Sequence, residues 1–142
     1  MRKVTAACRL LLALCLGARA EAEKEAYVVS TDDGMPMVVG RDGVLIYPGG
    51  QFTSIYDLLY AGEGTQLFAV SDGKHTVADE YGYESALEAL ADANGNILTD
   101  MRYSLWTYCT GSDSVIFARD GLMGALDAQG NELFSGPYEQ LT

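Results

Sequence analysis

The chain is 142 residues long, enough for one ordinary domain, and its 9 Lys plus Arg against 20 Asp plus Glu give a formal charge of −11. A surface of that sign repels phosphate, which excludes nucleic-acid binding through a basic face. Hydrophobic residues make up 49% of the chain, ample for a packed core and inconsistent with wholesale disorder.

Residues 1 to 20 begin with Arg2 and Lys3, and Arg9 precedes an unbroken apolar run from Leu10 to Ala18. Ala18-Arg19-Ala20 then sets small residues just before Glu21. This order of basic, apolar and small segments predicts a secretory signal peptide cleaved after Ala20, and a secreted or extracytoplasmic protein. The apolar run is half the length that a bilayer-spanning helix needs, so no integral span is expected after cleavage. Cys15 follows the bulky Leu14 and Cys8 precedes the apolar run, so neither is placed for a lipid anchor. Four of the nine cations leave with this segment, so 5 remain against 20 carboxylates, a formal −15. Cys8 and Cys15 leave as well. Cys109 alone cannot form an internal disulfide, so the core must hold the fold.

Glu21 to Ala26 reads as a mobile charged lead-in, and residues 27–142 as a single domain. Turn signals recur every ten to fifteen residues: Asp32-Asp33-Gly34, Arg41-Asp42-Gly43, Pro48-Gly49-Gly50, Gly62-Glu63-Gly64 and Asp72-Gly73. Asn94-Gly95-Asn96, Gly111-Ser112-Asp113, Asp120-Gly121 and Gln129-Gly130-Asn131 continue the series. Asp-Gly and Asn-Gly pairs accept the positive φ of tight hairpin turns at little cost. Between them lie short runs rich in β-branched and aromatic residues, which suit a pleated sheet. Tyr27 to Ser30, Val44 to Tyr47, Leu67 to Val70, Leu105 to Thr110 and Val115 to Ala118 are the clearest. Tyr83 to Ala91 could tolerate helix, but reads better as a strand entering the Asn94-Gly95 turn. The expected fold is all-β, built from repeated antiparallel hairpins, with its closure (barrel, short solenoid or partial propeller) left open.

The repeats show directly. Asp92-Ala93-Asn94-Gly95-Asn96-Ile97-Leu98 matches Asp127-Ala128-Gln129-Gly130-Asn131-Glu132-Leu133 at an offset of 35, which also takes Tyr103 to Tyr138. Leu67 to Gly73 matches Val115 to Gly121, and Tyr56-Asp57-Leu58-Leu59 matches Tyr138-Glu139-Gln140-Leu141. Such a unit cannot bury an apolar face alone, so neighbours must stack. Tyr56, Tyr103 and Tyr138 are expected as rungs of the shared core.

The unit resembles the bacterial WG-repeat family of β-hairpin repeats. Asp120, Gly121, Gly124, Asp127, Gly130, Leu133, Tyr138, Glu139 and Leu141 fall on its pattern. The Asp92 to Trp106 and Tyr56 to Gly73 segments match parts of it. The family's Trp-Gly pair is Met123-Gly124 here, and extra residues lie between Asp72-Gly73 and Asp92. The resemblance implies a β-repeat fold used for interaction or scaffolding, with no catalytic residues to carry over.

Little in the sequence points to chemistry. His75 is the only histidine, directly after a turn, and no Gly-x-Ser-x-Gly accompanies it. One mature Cys and one His cannot make a zinc site. Asp92-Ala93-Asn94-Gly95-Asn96 opens like a calcium loop, but the positions that need Gly and Glu hold Ile97 and Tyr103. The stretch reads as turn chemistry instead. Gly62-Glu63-Gly64 lacks the Gly, Lys and helix start of a phosphate loop. No catalytic residue, metal or cofactor is expected. The reading is a non-catalytic binding or scaffolding module whose partner is another protein or a cell-envelope component. Trp106 and Tyr108 share the strand face opposite Cys109 and are the expected contact residues. A small secreted hydrolase using carboxylates is the competing reading.

Overall fold

A computed structural model describes residues 24–58, 66–106 and 114–137. The expected signal peptide, Tyr108, Cys109, Tyr138 and the expected turns at Gly62 and Gly111 lie outside them. The described residues form twelve strands: β1 (Ala26–Ser30), β2 (Pro36–Gly40), β3 (Leu45–Tyr47), β4 (Ser54–Asp57), β5 (Leu67–Ser71) and β6 (Thr76–Ala78). After them come β7 (Glu84–Ala86), β8 (Ala89–Asp92), β9 (Ser104–Trp106), β10 (Val115–Arg119), β11 (Leu122–Leu126) and β12 (Glu132–Pro137). All pairings are antiparallel, in sheets ordered β1-β2-β3, β4-β5-β8 and β12-β11-β10-β9, with β6-β7 as a separate hairpin. The fold is all-β, an assembly of small antiparallel sheets with no closed barrel among the described residues.

One turn design recurs five times. Thr31, Gly40, Asp79, Asp92 and Asp127 each donate a backbone N–H to the carbonyl four residues on, at 2.7 to 3.0 Å. The glycine three residues on holds φ between 81° and 90°, a conformation costly for any residue with a Cβ. Asp79, Asp92 and Asp127 close their turns alike, Oδ1 accepting the amides two and four residues later, all at 2.9 Å. At Thr31 the hydroxyl does the same work, accepting the Met35 amide at 3.0 Å. The hairpin of β10 and β11 instead turns on Asp120-Gly121 alone, with both residues at positive φ.

The sheets stack in two interfaces. Ala26, Val38 and Tyr47 of the first sheet pack on Ile55, Phe68, Val70, Ala89 and Ala91 of the second. The opposite face of the second sheet, with Leu67, Ala69 and Leu90, packs on Leu105, Val115, Phe117 and Leu126 of the third. Strands β5 and β8 are consequently buried at every position, on both faces. Tyr103 links the second and third sheets by exchanging backbone hydrogen bonds with Glu88 at 2.6 and 3.0 Å.

Four features depart from the sequence reading. Strand β1 takes in Ala26, the last residue of the expected lead-in, which is fully buried. Gln66 explains this: its side-chain amide exchanges two hydrogen bonds with the Ala26 backbone, at 3.0 and 2.9 Å. Tyr56 is not a core rung. On the edge strand β4 Ile55 fills the core, as does Leu58 just after it, and Tyr56 is 62% exposed. Tyr103 is buried as expected, and among the described residues the second buried tyrosine is Tyr47, whose hydroxyl donates to Asp92 O at 2.9 Å and Asn96 O at 3.1 Å. Lastly, Phe68 and Val70 face the first sheet while Val115 and Phe117 face the second, so Phe68 and Val70, rather than Leu67 and Ala69, take the places of Val115 and Phe117. The extra hairpin between Gly73 and Leu87 frees β5 and β8 from the tight-turn register of β10 and β11, and a shift of one residue exchanges faces.

Candidate interaction surface

The register of the third sheet assembles a row that no single segment of sequence displays. Trp106 pairs with Ile116, Ile116 with Ala125, and Ala125 with Phe134. Since Leu105, Phe117 and Leu126 point into the core, this row lies on the outer face of the sheet. Beside it run Ser104, Ala118, Met123 and Gly136. Neither row holds a charged residue, on a chain of formal charge −11. Trp106, Ile116 and Met123 are half-buried, and Phe134 on the edge strand β12 is 54% exposed. The sequence reading thus finds one member of the face in Trp106, while Tyr108 lies outside the described residues.

The opposite, inner side of the same sheet holds the edge strand in place. Gly124 sits where a Cβ would run into the Phe134 carbonyl and lie 2.8 Å from the Phe117 ring, so only glycine lets β12 approach β11 here. Arg119 on β10 grips Glu132 on β12 with two hydrogen bonds, Nε to Oε1 at 2.7 Å and an outer nitrogen to Oε2 at 2.9 Å. The Tyr103 hydroxyl donates to the same carboxylate at 2.9 Å. These bonds, led by Arg119, bring the Glu132 carboxyl down to about 2. The paired donors fix β12 in place, and with it Phe134.

The first sheet has a face of the same kind at the other end of the stack. Tyr27 pairs with Val39 and Val39 with Leu45, while Val29 pairs with Met37. These alternate with the inward Ala26, Val28, Val38 and Ile46, so they lie on the outer side. Leu45 is 51% exposed, and none of the five is charged.

The groups with chemical potential are engaged in local structure. His75 Nδ1 lies 2.9 Å from Asp72 Oδ2 on an exposed turn. Asp72 also accepts the Lys74 and His75 amides, and these bonds, Lys74 first, lower its pKa. Asp92 spends both carboxylate oxygens on its own turn, Oδ1 on two amides and Oδ2 on the Asn96 side chain at 3.1 Å. Asp127 repeats the arrangement with Asn131. Glu88 is partly buried, which raises its pKa, and its Oε1 accepts the Leu105 amide at 3.0 Å. Among the described residues no three His, Cys, Asp or Glu side chains gather as a metal site.

Compared with protein-family models, with curated proteins and with solved structures, the chain has no significant match. The surface is therefore read from its own chemistry. Ile116 and Phe134 escape the sequence reading because membership of the row depends on pairings between strands far apart in the chain. The apolar alternation of Tyr27, Val29, Met37 and Val39 is a signal the sequence does carry, since period-2 residues share a face.

Proposed function

We propose that the chain is an exported, non-catalytic β-repeat module that binds or scaffolds a protein or cell-envelope partner through the outer face of its last sheet. The observation that carries this reading is the uncharged row Trp106, Ile116, Ala125 and Phe134 on a strongly acidic chain. Apolar sheet faces rimmed by charge mark contact sites more often than plain solvent-facing surface. Aromatic residues at the two ends of the row are the residue types that dominate interface energetics. The basic, apolar and small order of residues 1 to 20 supports export. The Asp-x-x-Gly turns at Asp92 and Asp127 support kinship with WG-type repeats, without the Trp.

The test replaces Phe134 with Lys and compares the two proteins expressed in a bacterial host. N-terminal sequencing of the exported product should begin at Glu21. Wild type should co-fractionate with envelope or partner, and Phe134→Lys should be released while keeping its far-ultraviolet spectrum. Assays on polysaccharide and peptide substrates from roughly pH 4 to 9 should show no turnover. Turnover with a bell-shaped pH profile would replace this reading with the carboxylate hydrolase.

A further inference from the structure

We infer that the two end faces of the stack bind each other, so that one partner of this protein is a second copy of the same chain, docked head to tail. The inference rests on the binding reading above and names the occupant of its surface.

The first observation is that the molecule already contains two interfaces of this kind. Its three sheets join face to face through uncharged rows, Val38 and Ala26 on Phe68 and Val70, then Leu67, Ala69 and Leu90 on Val115 and Phe117. Each internal contact joins the outgoing face of one sheet to the incoming face of the next. The second observation is that, among the described residues, the series ends without a cap at either side. The outgoing face of the third sheet carries Trp106, Ile116, Ala118, Met123, Ala125 and Phe134. The incoming face of the first carries Tyr27, Val29, Met37, Val39 and Leu45. No further sheet among the described residues lies over either, since the β6-β7 hairpin is exposed at every position.

Stacked-repeat proteins ordinarily close their ends with polar faces. Here both ends keep the surface type of the interior, and the repeat pattern says which fits which. Leu90 and Ala125 are counterparts at the offset of 35. Leu90 is buried against the next sheet, and Ala125, which its larger neighbours in the row leave only 2% exposed, lies at the centre of the face where a next sheet would sit. A second copy offers its first sheet for that position. Charge favours this site over the flanks: the chain is acidic overall, and only uncharged faces let two copies approach without repulsion. The three-stranded first sheet, five residues deep, limits the contact to about 14 by 17 Å. A contact of that size lies below the standard specific interfaces, so weak, transient association, about 100 µM or weaker, is expected. A head-to-tail contact uses two different surfaces, which leaves each dimer with one free face of each kind.

This asymmetry supplies the test. Leu45→Lys blocks the incoming face and Phe134→Lys the outgoing one; both side chains are more than half exposed, so the fold survives and circular dichroism verifies it. The purified proteins are followed by sedimentation velocity from roughly 5 to 500 µM, the range set by the interface size. Wild type should gain mass with concentration, and each variant alone should stay monomeric. An equimolar mixture should recover association and stop at dimers, because each variant keeps the face that the other lacks. Wild type monomeric throughout overturns the inference, as does a mixture that fails to associate. Association lost in Phe134→Lys but kept in Leu45→Lys overturns it too, since that marks a symmetric contact between last sheets. In each of those cases the envelope co-fractionation of Phe134→Lys still decides the broader binding reading on its own.

Discussion

Gln66 offers the sharpest test of how the first sheet is attached. Its side chain is buried and makes three hydrogen bonds: Oε1 accepts Ala26 N at 3.0 Å, while Nε2 donates to Ala26 O and Asp57 Oδ2, each at 2.9 Å. Ala26 is itself fully buried. Because Glu25 and Arg41 make the neighbouring backbone bond between β1 and β2, Ala26 turns its N–H and C=O away from β2 and toward Gln66. The amide side chain thus stands in for a missing strand. Gln66→Met keeps the volume and removes all three bonds, leaving a buried N–H and C=O unpaired. At about 1 to 3 kcal/mol for each buried polar group left unsatisfied, the expected loss is about 3 kcal/mol. Urea unfolding should show a lower midpoint with an unchanged slope, since the same surface is exposed in both proteins. The melting temperature should fall by roughly 10 °C for a domain of this size. A loss below about 0.5 kcal/mol would refute the reasoning, because no unsatisfied buried pair is that cheap.

Other perturbations follow from the same contacts. Since the Glu132 carboxyl lies at about 2 against an ordinary 4.5, its contribution is present above the ordinary value and lost as pH falls from there toward 2. Melting temperature should drop across that window in wild type and less steeply in Glu132→Gln, which should already be weaker at neutral pH. Tyr47→Phe removes a hydroxyl that ties the first sheet to the Asp92 turn, and should cost about 1 kcal/mol in chemical denaturation. Gly124→Ala sets a methyl against the Phe134 carbonyl and the Phe117 ring, and should cost more than about 2 kcal/mol and free β12, visible as faster amide exchange at Phe134. Excising Lys74 to Leu87 joins Gly73 to Glu88 and recreates the Asp-Gly turn of β10 and β11. That deletion should leave the thermal melt within a few degrees of wild type, since a lone two-stranded hairpin adds little stability.

The turns were the most legible part of the sequence. Six of the seven expected turns within the described residues are turns, because a positive φ leaves few alternatives to glycine; at Asp72-Gly73 the chain only bends, into the inserted hairpin. The strands beside them follow from β-branched and aromatic content. What the sequence concealed was orientation. Leu67 to Ser71 is apolar or small at each position, so alternation cannot tell which residues face which neighbour, and the structure buries all five. The inserted hairpin was equally hidden. Tyr83 to Ala91 reads as one strand, yet the structure divides it into β7 and β8 of different sheets, and Asp79 and Gly82 repeat the common turn and lift Tyr81 and Tyr83 into solvent. Tyr56 misled for a related reason, since an edge strand leaves part of its face uncovered. Trp106 was legible as the chain's only tryptophan in a strand, but its companions Ile116 and Phe134 needed a register. Gln66 and Ala26, forty residues apart, carry no pattern that connects them.

The measurement that tests the account most directly is amide hydrogen exchange, read strand by strand at low and at high protein concentration. The stack predicts the slowest exchange in Phe68 to Val70 and Leu90 to Ala91, buried on both faces, at either concentration. It also predicts that β1 to β3 and β9 to β12 slow further at high concentration, as their outer faces meet. Slowest exchange in either end sheet, or end sheets indifferent to concentration, would contradict it.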